Sequence, residues 1–266
     1  MKKTFLAILL STCILSLSIS CSGPKKESSF KEFEIKCHDG TVRSGAIFIS
    51  KGYKPGSRLP VIYMADGLVF KDGNYKHIID SLIDEKCISP IVVACSYEDK
   101  RPIPGYTIAY RNAEYVESLS RQDPKLAQLF DNHYEYFVNE FIPYVRRHAP
   151  VSDTKEEMLF YGTSNSADFG LTLSMRNPDL FAEYWCYSPV FSDLTHYGML
   201  TNDIDYRICW GIKEEIDSDD YFPTLVKDIR KRGGNVTSWA FNGVHDRNKW
   251  KANFREELQR RFPYKD

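Results

Sequence analysis

The chain has 266 residues, 42% of them hydrophobic and 27% charged, with a formal net charge of −1. That composition suits a globular protein with a substantial core and excludes a disordered polymer. No long basic block is present, so nucleic acid is not expected as a partner.

Read from its beginning, the chain opens with Lys2 and Lys3, then an almost wholly apolar or small run over 5–19, then Ser18, Ile19 and Ser20 before Cys21. A positive start, a short apolar run and small residues before a cut site are the pattern of an export signal. The run is too short for a comfortable membrane span. Residues 1–20 are therefore expected to be a signal peptide and Cys21 a lipidated cysteine, although Ser18 stands where a Leu is usual. Residues 21–29, rich in Ser, Gly, Pro, Lys and Glu, read as a tether. The remainder, 30–266, reads as a single domain, exported and held at a membrane by the lipid on Cys21, on the periplasmic side or the cell surface.

Within the domain, 33–37 and 46–50 read as two strands, with Asp39 and Gly40 in the hairpin turn between them. Continuous apolar runs at 59–65 and 91–95 read as buried strands. Residues 75–85 have helical spacing, 98–122 look irregular, and 133–148 read as a long amphipathic helix. Residues 158–161, 183–187, 206–210 and 236–241 read as strands. Residues 167–176, 223–231 and 248–261 read as helices, the first stopped by Asn177-Pro178. Such alternation predicts an α/β fold with a mostly parallel central sheet, helices on both faces and an antiparallel N-terminal edge. Cys37, Cys87, Cys95, Cys186 and Cys209 match no metal spacing; Cys95, Cys186 and Cys209 lie in apolar runs and read as small hydrophobes, with a disulfide left open. No metal and no cofactor are expected.

Gly162-Thr163-Ser164-Asn165-Ser166 lies between an expected strand and an expected helix, the context of a nucleophile elbow. Ser166 replaces the second glycine of the usual G-x-S-x-G. Downstream, Gly211-Ile212-Lys213-Glu214 and Asn242-Gly243-Val244-His245-Asp246 each follow a strand, giving the chain order serine, acid, histidine. A serine hydroxyl needs a base to take its proton, and His245 is suited to that role. A carboxylate would hold the imidazole; Glu214 heads an acidic cluster that also contains Glu215, Asp217, Asp219 and Asp220, and a dyad without an acid stays open. The backbone amide of Asn165 and those of the Asp66-Gly67-Leu68 turn, Gly67 and Leu68, are candidate oxyanion donors.

These blocks, together with 59–67, 141–145, 177–181, Ser188-Pro189 and Trp250, make the chain resemble the putative-esterase family that includes enterochelin esterases and esterase D, over roughly 33–262. The resemblance implies the α/β-hydrolase fold and hydrolysis of a small-molecule carboxylic ester, of siderophore-lactone or sugar-acyl type. It implies Ser164 as nucleophile, His245 as base and Glu214 as acid. Arg111, Glu114 and Tyr115 resemble a family segment near the site; with Asp66 and Trp250 they are candidate substrate contacts. Ser166 and Val244, each where the family usually has glycine, are departures. An acyltransferase on the same fold, or a binding lipoprotein without activity, are the competing readings.

Overall fold

The computed structural model describes residues 23–201 and 203–265. The expected signal peptide and Cys21 lie outside the described residues. The eight strands are β1 (Ser29–Lys36), β2 (Val42–Ile49), β3 (Val61–Met64), β4 (Val92–Ser96), β5 (Met158–Thr163), β6 (Glu183–Tyr187), β7 (Asp205–Gly211) and β8 (Asn235–Phe241). They form one sheet in the order β1-β2-β4-β3-β5-β6-β7-β8. β1 and β2 pair antiparallel, as do β2 and β4, and every other pair is parallel. The hairpin forms where expected. Gly40 takes φ 82°, and the Asp39 carboxylate accepts from the amide and hydroxyl of Thr41 at 2.9 and 2.6 Å. This is the local bonding that makes Asp-Gly a turn.

β3, β4, β5 and β6 are buried at every position because both faces are covered,. Val61, Tyr63, Phe160, Tyr184 and Ile208 face one core; helices Asn165–Arg176 and Ser218–Lys231 and the segment 136–148 close it. Ile62, Met64, Leu159, Tyr161, Trp185 and Tyr187 face the other, under helices Tyr75–Asp84 and Arg247–Arg261.

Three expectations needed revision. The long helix begins at Pro124, not 133: Pro124–Glu135 runs through an i→i+5 stretch, Tyr136–Phe141, into Ile142–His148. Its start has ordinary signals, Pro124 in the first turn and an Asp123 carboxylate accepting from Lys125 N at 2.8 Å,. The irregular stretch 98–122 holds two short helices, Tyr110–Tyr115 and Glu117–Ser120. The segment read as a tether is fastened to the domain from Lys25, whose amide donates to Tyr53 O at 2.9 Å and whose carbonyl accepts from Gly52 N at 2.7 Å. Ser28 Oγ accepts from Lys51 N at 2.8 Å, so β1 starts at Ser29. Cys37, Cys87, Cys95, Cys186 and Cys209 are free thiols. Among the described residues no helix is long and apolar enough to cross a membrane.

Helix Asn165–Arg176 sits unusually close to the sheet. A Cβ on Gly170 would lie 2.4 Å from Phe160 Cε1 and 3.1 Å from Cys186 Sγ. Gly170→Ala is therefore expected to destabilise the protein by about 1–3 kcal/mol, read as a lower urea midpoint. An unchanged or raised midpoint would refute this packing.

Candidate active site

The turn after β5 carries Ser164 in a left-handed conformation, φ 56° and ψ −133°. A side chain there is strained. It is held by backbone bonds on both sides: Ser164 N donates to Tyr187 O at 2.8 Å, and Ser164 O accepts from Ala167 N at 2.7 Å. The turn closes so tightly that a Cβ on Gly162 would meet Ser166 O at 2.4 Å, which is why that position is glycine. Ser166 is accommodated because its hydroxyl folds back on Thr163, accepting from the amide and donating to the carbonyl, both at 2.8 Å. Ser164, half-buried, ends up on the floor of a cleft.

Base and acid come from the turns after β8 and β7, which are stitched together. Ile212 N donates to Phe241 O and Lys213 N to Gly243 O, each at 3.0 Å. A Cβ on Gly211 would lie 2.5 Å from Gly243 O, so only glycine lets the two turns cross. His245 Nδ1 and Glu214 Oε2 are 2.8 Å apart. Glu214 Oε1 accepts from Ser188 Oγ at 2.5 Å and Gly211 N at 2.9 Å. Burial pushes the Glu214 carboxyl up, but the bonds from His245, Ser188 and Gly211 outweigh it and hold the group below the usual carboxylate range,. Glu215, by contrast, is exposed. Trp250 Nε1 donates to Ser188 Oγ at 3.0 Å, and its ring meets His245 edge-on, centroids 4.6 Å apart. Val244 is solvent-exposed, so a side chain there meets no obstacle.

Ser164 and His245 together line two adjoining pockets. One, of about 230 Å³, is polar and includes Asp66, Glu98, Lys100, Arg111 and Trp250. The other, of about 280 Å³, is walled by Val190, Phe191 and Ile216 beside Glu214. On the turns after β3 and β5, the amides of Gly67 and Asn165 make no hydrogen bond among the described residues. Gly67 could not be larger, because its Cβ would lie 2.6 Å from Cys95 Cβ.

Several candidates take other places. Leu68 N donates to Glu98 Oε2 at 3.2 Å. A carboxylate at a helix start is favourable, and it withdraws that amide from the oxyanion. Tyr115 is fully buried and its hydroxyl accepts from Asp66 N at 3.2 Å, so it supports the turn and does not meet substrate. Glu114 is buried and ion-paired with Arg43 at 2.8 Å, facing a neighbouring cavity. Asp66 and Arg111 line the cleft but bind each other through two bonds, one of 2.6 Å between Oδ1 and Nε. Two residues were not singled out from the sequence for the roles they take. Ser188 bridges Glu214 and Trp250, and Asp168 fixes the apolar wall by accepting from Phe191 N at 3.0 Å and Ser192 Oγ at 2.6 Å. No sequence pattern marks either role.

The model of the putative-esterase family matches residues 42–221 of the chain. No curated protein matches it by sequence. Among solved structures, the enterobactin esterase of Shigella flexneri, in the presence of enterobactin, is similar at 16% identity and TM-score 0.69, covering 90% of this chain and 60% of that one. The chain thus spans about three-fifths of the length of that enzyme. The BES protein of Bacillus cereus is similar at 15% identity and TM-score 0.65, over 88% of this chain and 96% of that one. The fluorophosphonate-binding serine hydrolase F of Staphylococcus aureus is similar at 11% identity and TM-score 0.61, over 90% of this chain and 100% of that one. These likenesses establish the α/β-hydrolase fold.

Asp168 gives a pH test of the site's support. Burial raises its carboxyl to about 7, against the opposing bonds from Ser192 and Phe191. A carboxyl raised in the folded state costs stability above its unfolded value near 3.8, and the cost grows until pH passes the folded value. Asp168→Asn keeps the accepting oxygen and removes the ionisation. Its gain in melting temperature is expected to be larger at pH 8 than at pH 5; a gain that shrinks on going from pH 5 to pH 8 would contradict the burial described.

Proposed function

The chain belongs to the putative-esterase family and is a carboxylic ester hydrolase, and on that premise we propose that it is a serine esterase whose acyl-enzyme forms on Ser164. The observation that carries this reading is the 2.8 Å contact between His245 Nδ1 and a buried, thrice-bonded Glu214, in the cleft that Ser164 floors. Glu214 accepts a hydrogen bond from Nδ1–H, which leaves Nε2 as an acceptor and favours the imidazolium that forms later,. His245 takes the hydroxyl proton as the Ser164 Oγ–carbon bond forms. The carbonyl oxygen becomes an oxyanion, received by the amides of Asn165 and Gly67. Collapse breaks the bond to the leaving alkoxide, which takes the proton from His245. A water molecule, deprotonated by the same histidine, then releases the acid and restores the serine.

The two pockets divide the ester. The apolar walls of Val190, Phe191 and Ile216 suit the acyl part, and the polar pocket around Arg111 and Glu98 suits the alcohol. A siderophore lactone and an acylated sugar both meet that description. The enterobactin esterase likeness supports the first. The work is done outside the cytoplasm, with the domain held at a membrane by a lipid on Cys21.

Ser164→Ala is expected to abolish hydrolysis of p-nitrophenyl acetate with an unchanged circular dichroism spectrum. Glu214→Gln should lower kcat by about a hundredfold to ten-thousandfold, as for other triad carboxylates, and Glu215→Gln should change it little. Turnover retained in Ser164→Ala, or a large loss confined to Glu215→Gln, would sink the assignment.

A further inference from the structure

The central sheet has two edges, and they are unlike. β1, at one edge, carries Lys31, Glu32, Glu34 and Lys36 among its eight residues. Charges of this kind keep an edge strand from pairing with another chain. β8, at the other edge, carries no charged residue and no proline. Among the described residues β7 is its one partner. Asn235 N donates to Ile204 O, and Phe241 O accepts from Ile212 N, so the odd-numbered residues of β8 turn their backbone groups towards β7. By the alternation of a strand, Val236, Ser238 and Ala240 turn theirs off the edge. Arg230 Nη2 covers the first of these by donating to Val236 O at 2.8 Å. Ser238 and Ala240 have no such cover among the described residues.

Two copies of this edge fit one another. A two-fold axis at Trp239 sets Ser238 of one copy opposite Ala240 of the other, and each such pair exchanges two hydrogen bonds. The same axis brings the two Trp239 side chains, each half-buried, next to one another,. Helix Ser218–Lys231, the crossover between β7 and β8, runs antiparallel to both strands and packs over them. Neighbouring strands are about 4.8 Å apart, so the two copies of the helix would lie about 10 Å apart, close to packing distance. Trp239 lies about 10 Å along the strand from Val236, beside which Arg230 sits, and about seven helical residues cover that rise. Pro223 is therefore level with the axis. Asp219 and Lys227 flank it four residues to either side, both exposed and neither in an ion pair among the described residues. The two-fold lays Asp219 of each helix against Lys227 of the other. The edge is thus complementary to itself in hydrogen bonds, and the helix above it in charge.

We propose that β8 is a pairing edge for a second copy of this chain, joining two sheets into one across an antiparallel β8–β8 seam. The acid-to-base polarity of helix Ser218–Lys231, with Asp219 and Asp220 in its first turn and Arg230 and Lys231 in its last, is answered by the same helix reversed, which selects another copy over an unrelated strand. Each copy keeps its own triad. The strand that leads into the His245 turn is then held on both sides.

Sedimentation equilibrium of the full chain in density-matched detergent tests this, and the parent should be a dimer. Ala240→Pro removes one outward N–H from each copy, at a position where an edge strand tolerates proline, and should leave a folded monomer. The charged pair gives a second test that leaves the strand untouched. Asp219→Lys and Lys227→Asp should each weaken association about tenfold, the scale of two symmetry-related surface pairs turned from attraction to repulsion. The two substitutions together should restore it, which a merely destabilised fold would not do. A parent that stays monomeric at high micromolar concentration overturns the proposal. So does a dimer that neither charge reversal weakens, since it forms at another surface, and so does a double variant no stronger than the single ones.

Discussion

Glu214 is held from three directions: by His245 at 2.8 Å, by Ser188 at 2.5 Å and by the Gly211 amide at 2.9 Å. Those partners stand on three different strand ends, and Trp250 adds the last helix through its bond to Ser188. A buried carboxylate without such bonds would be costly and would tend to take up a proton. With them it stays ionised and fixes one imidazole orientation. Much of the surrounding architecture serves this arrangement. Gly211 is glycine so that the His245 turn can cross it, and the two turns exchange backbone bonds so that neither moves alone.

The same end of the sheet concentrates strain. Asp66, Ser164 and Ser188 have φ of 60°, 56° and 52°, and they follow β3, β5 and β6, which are neighbours in the sheet. A left-handed residue other than glycine costs about 1–2 kcal/mol. Each is restrained by hydrogen bonds, most of them to neighbouring elements: Tyr115 on Asp66, Tyr187 and Ala167 on Ser164, Cys209 on Ser188. The chain turns sharply at the carboxyl ends of these strands, and the cleft lies at that end of the sheet. This is where parallel sheets generally build sites. The rigid two-faced core beneath, with aromatic rings packed from Tyr63 to Tyr206, gives the bent ends a fixed base.

Much of this was legible in the sequence. Buried parallel strands announce themselves as short apolar runs, so all eight strands were found, with edges displaced by a few residues at most. The elbow and the two downstream turns were read from glycine, serine and histidine placed after strands. What escaped has a physical cause. Glu214 was named from the resemblance, but the residues alone left Glu215 open beside it, because the two are chemically alike and only the direction of the chain after Gly211 separates the buried one from the exposed one. Leu68 looked like an oxyanion donor because nothing near it in sequence shows that Glu98, thirty residues on, would take its amide. Glu114 and Tyr115 lie beside Arg111 in the chain, yet a helix turns them away from the cleft it faces. Ser188 is one serine among many, and its role depends wholly on tertiary contact with Glu214 and Trp250. Helix Pro124–Glu135 was missed although Asp123-Pro124 is an ordinary helix start, because the apolar spacing was sought further on.

In the proposed reaction Ser164 is a hydroxyl activated by His245. A fluorophosphonate reacts covalently with such a serine and leaves unactivated serines alone. Intact-protein mass spectrometry after treatment, followed by peptide mapping, reads this directly. One adduct per chain is expected, on Ser164, and it disappears when His245 is replaced by Ala. No adduct on the folded protein, or an adduct on another residue, would contradict it.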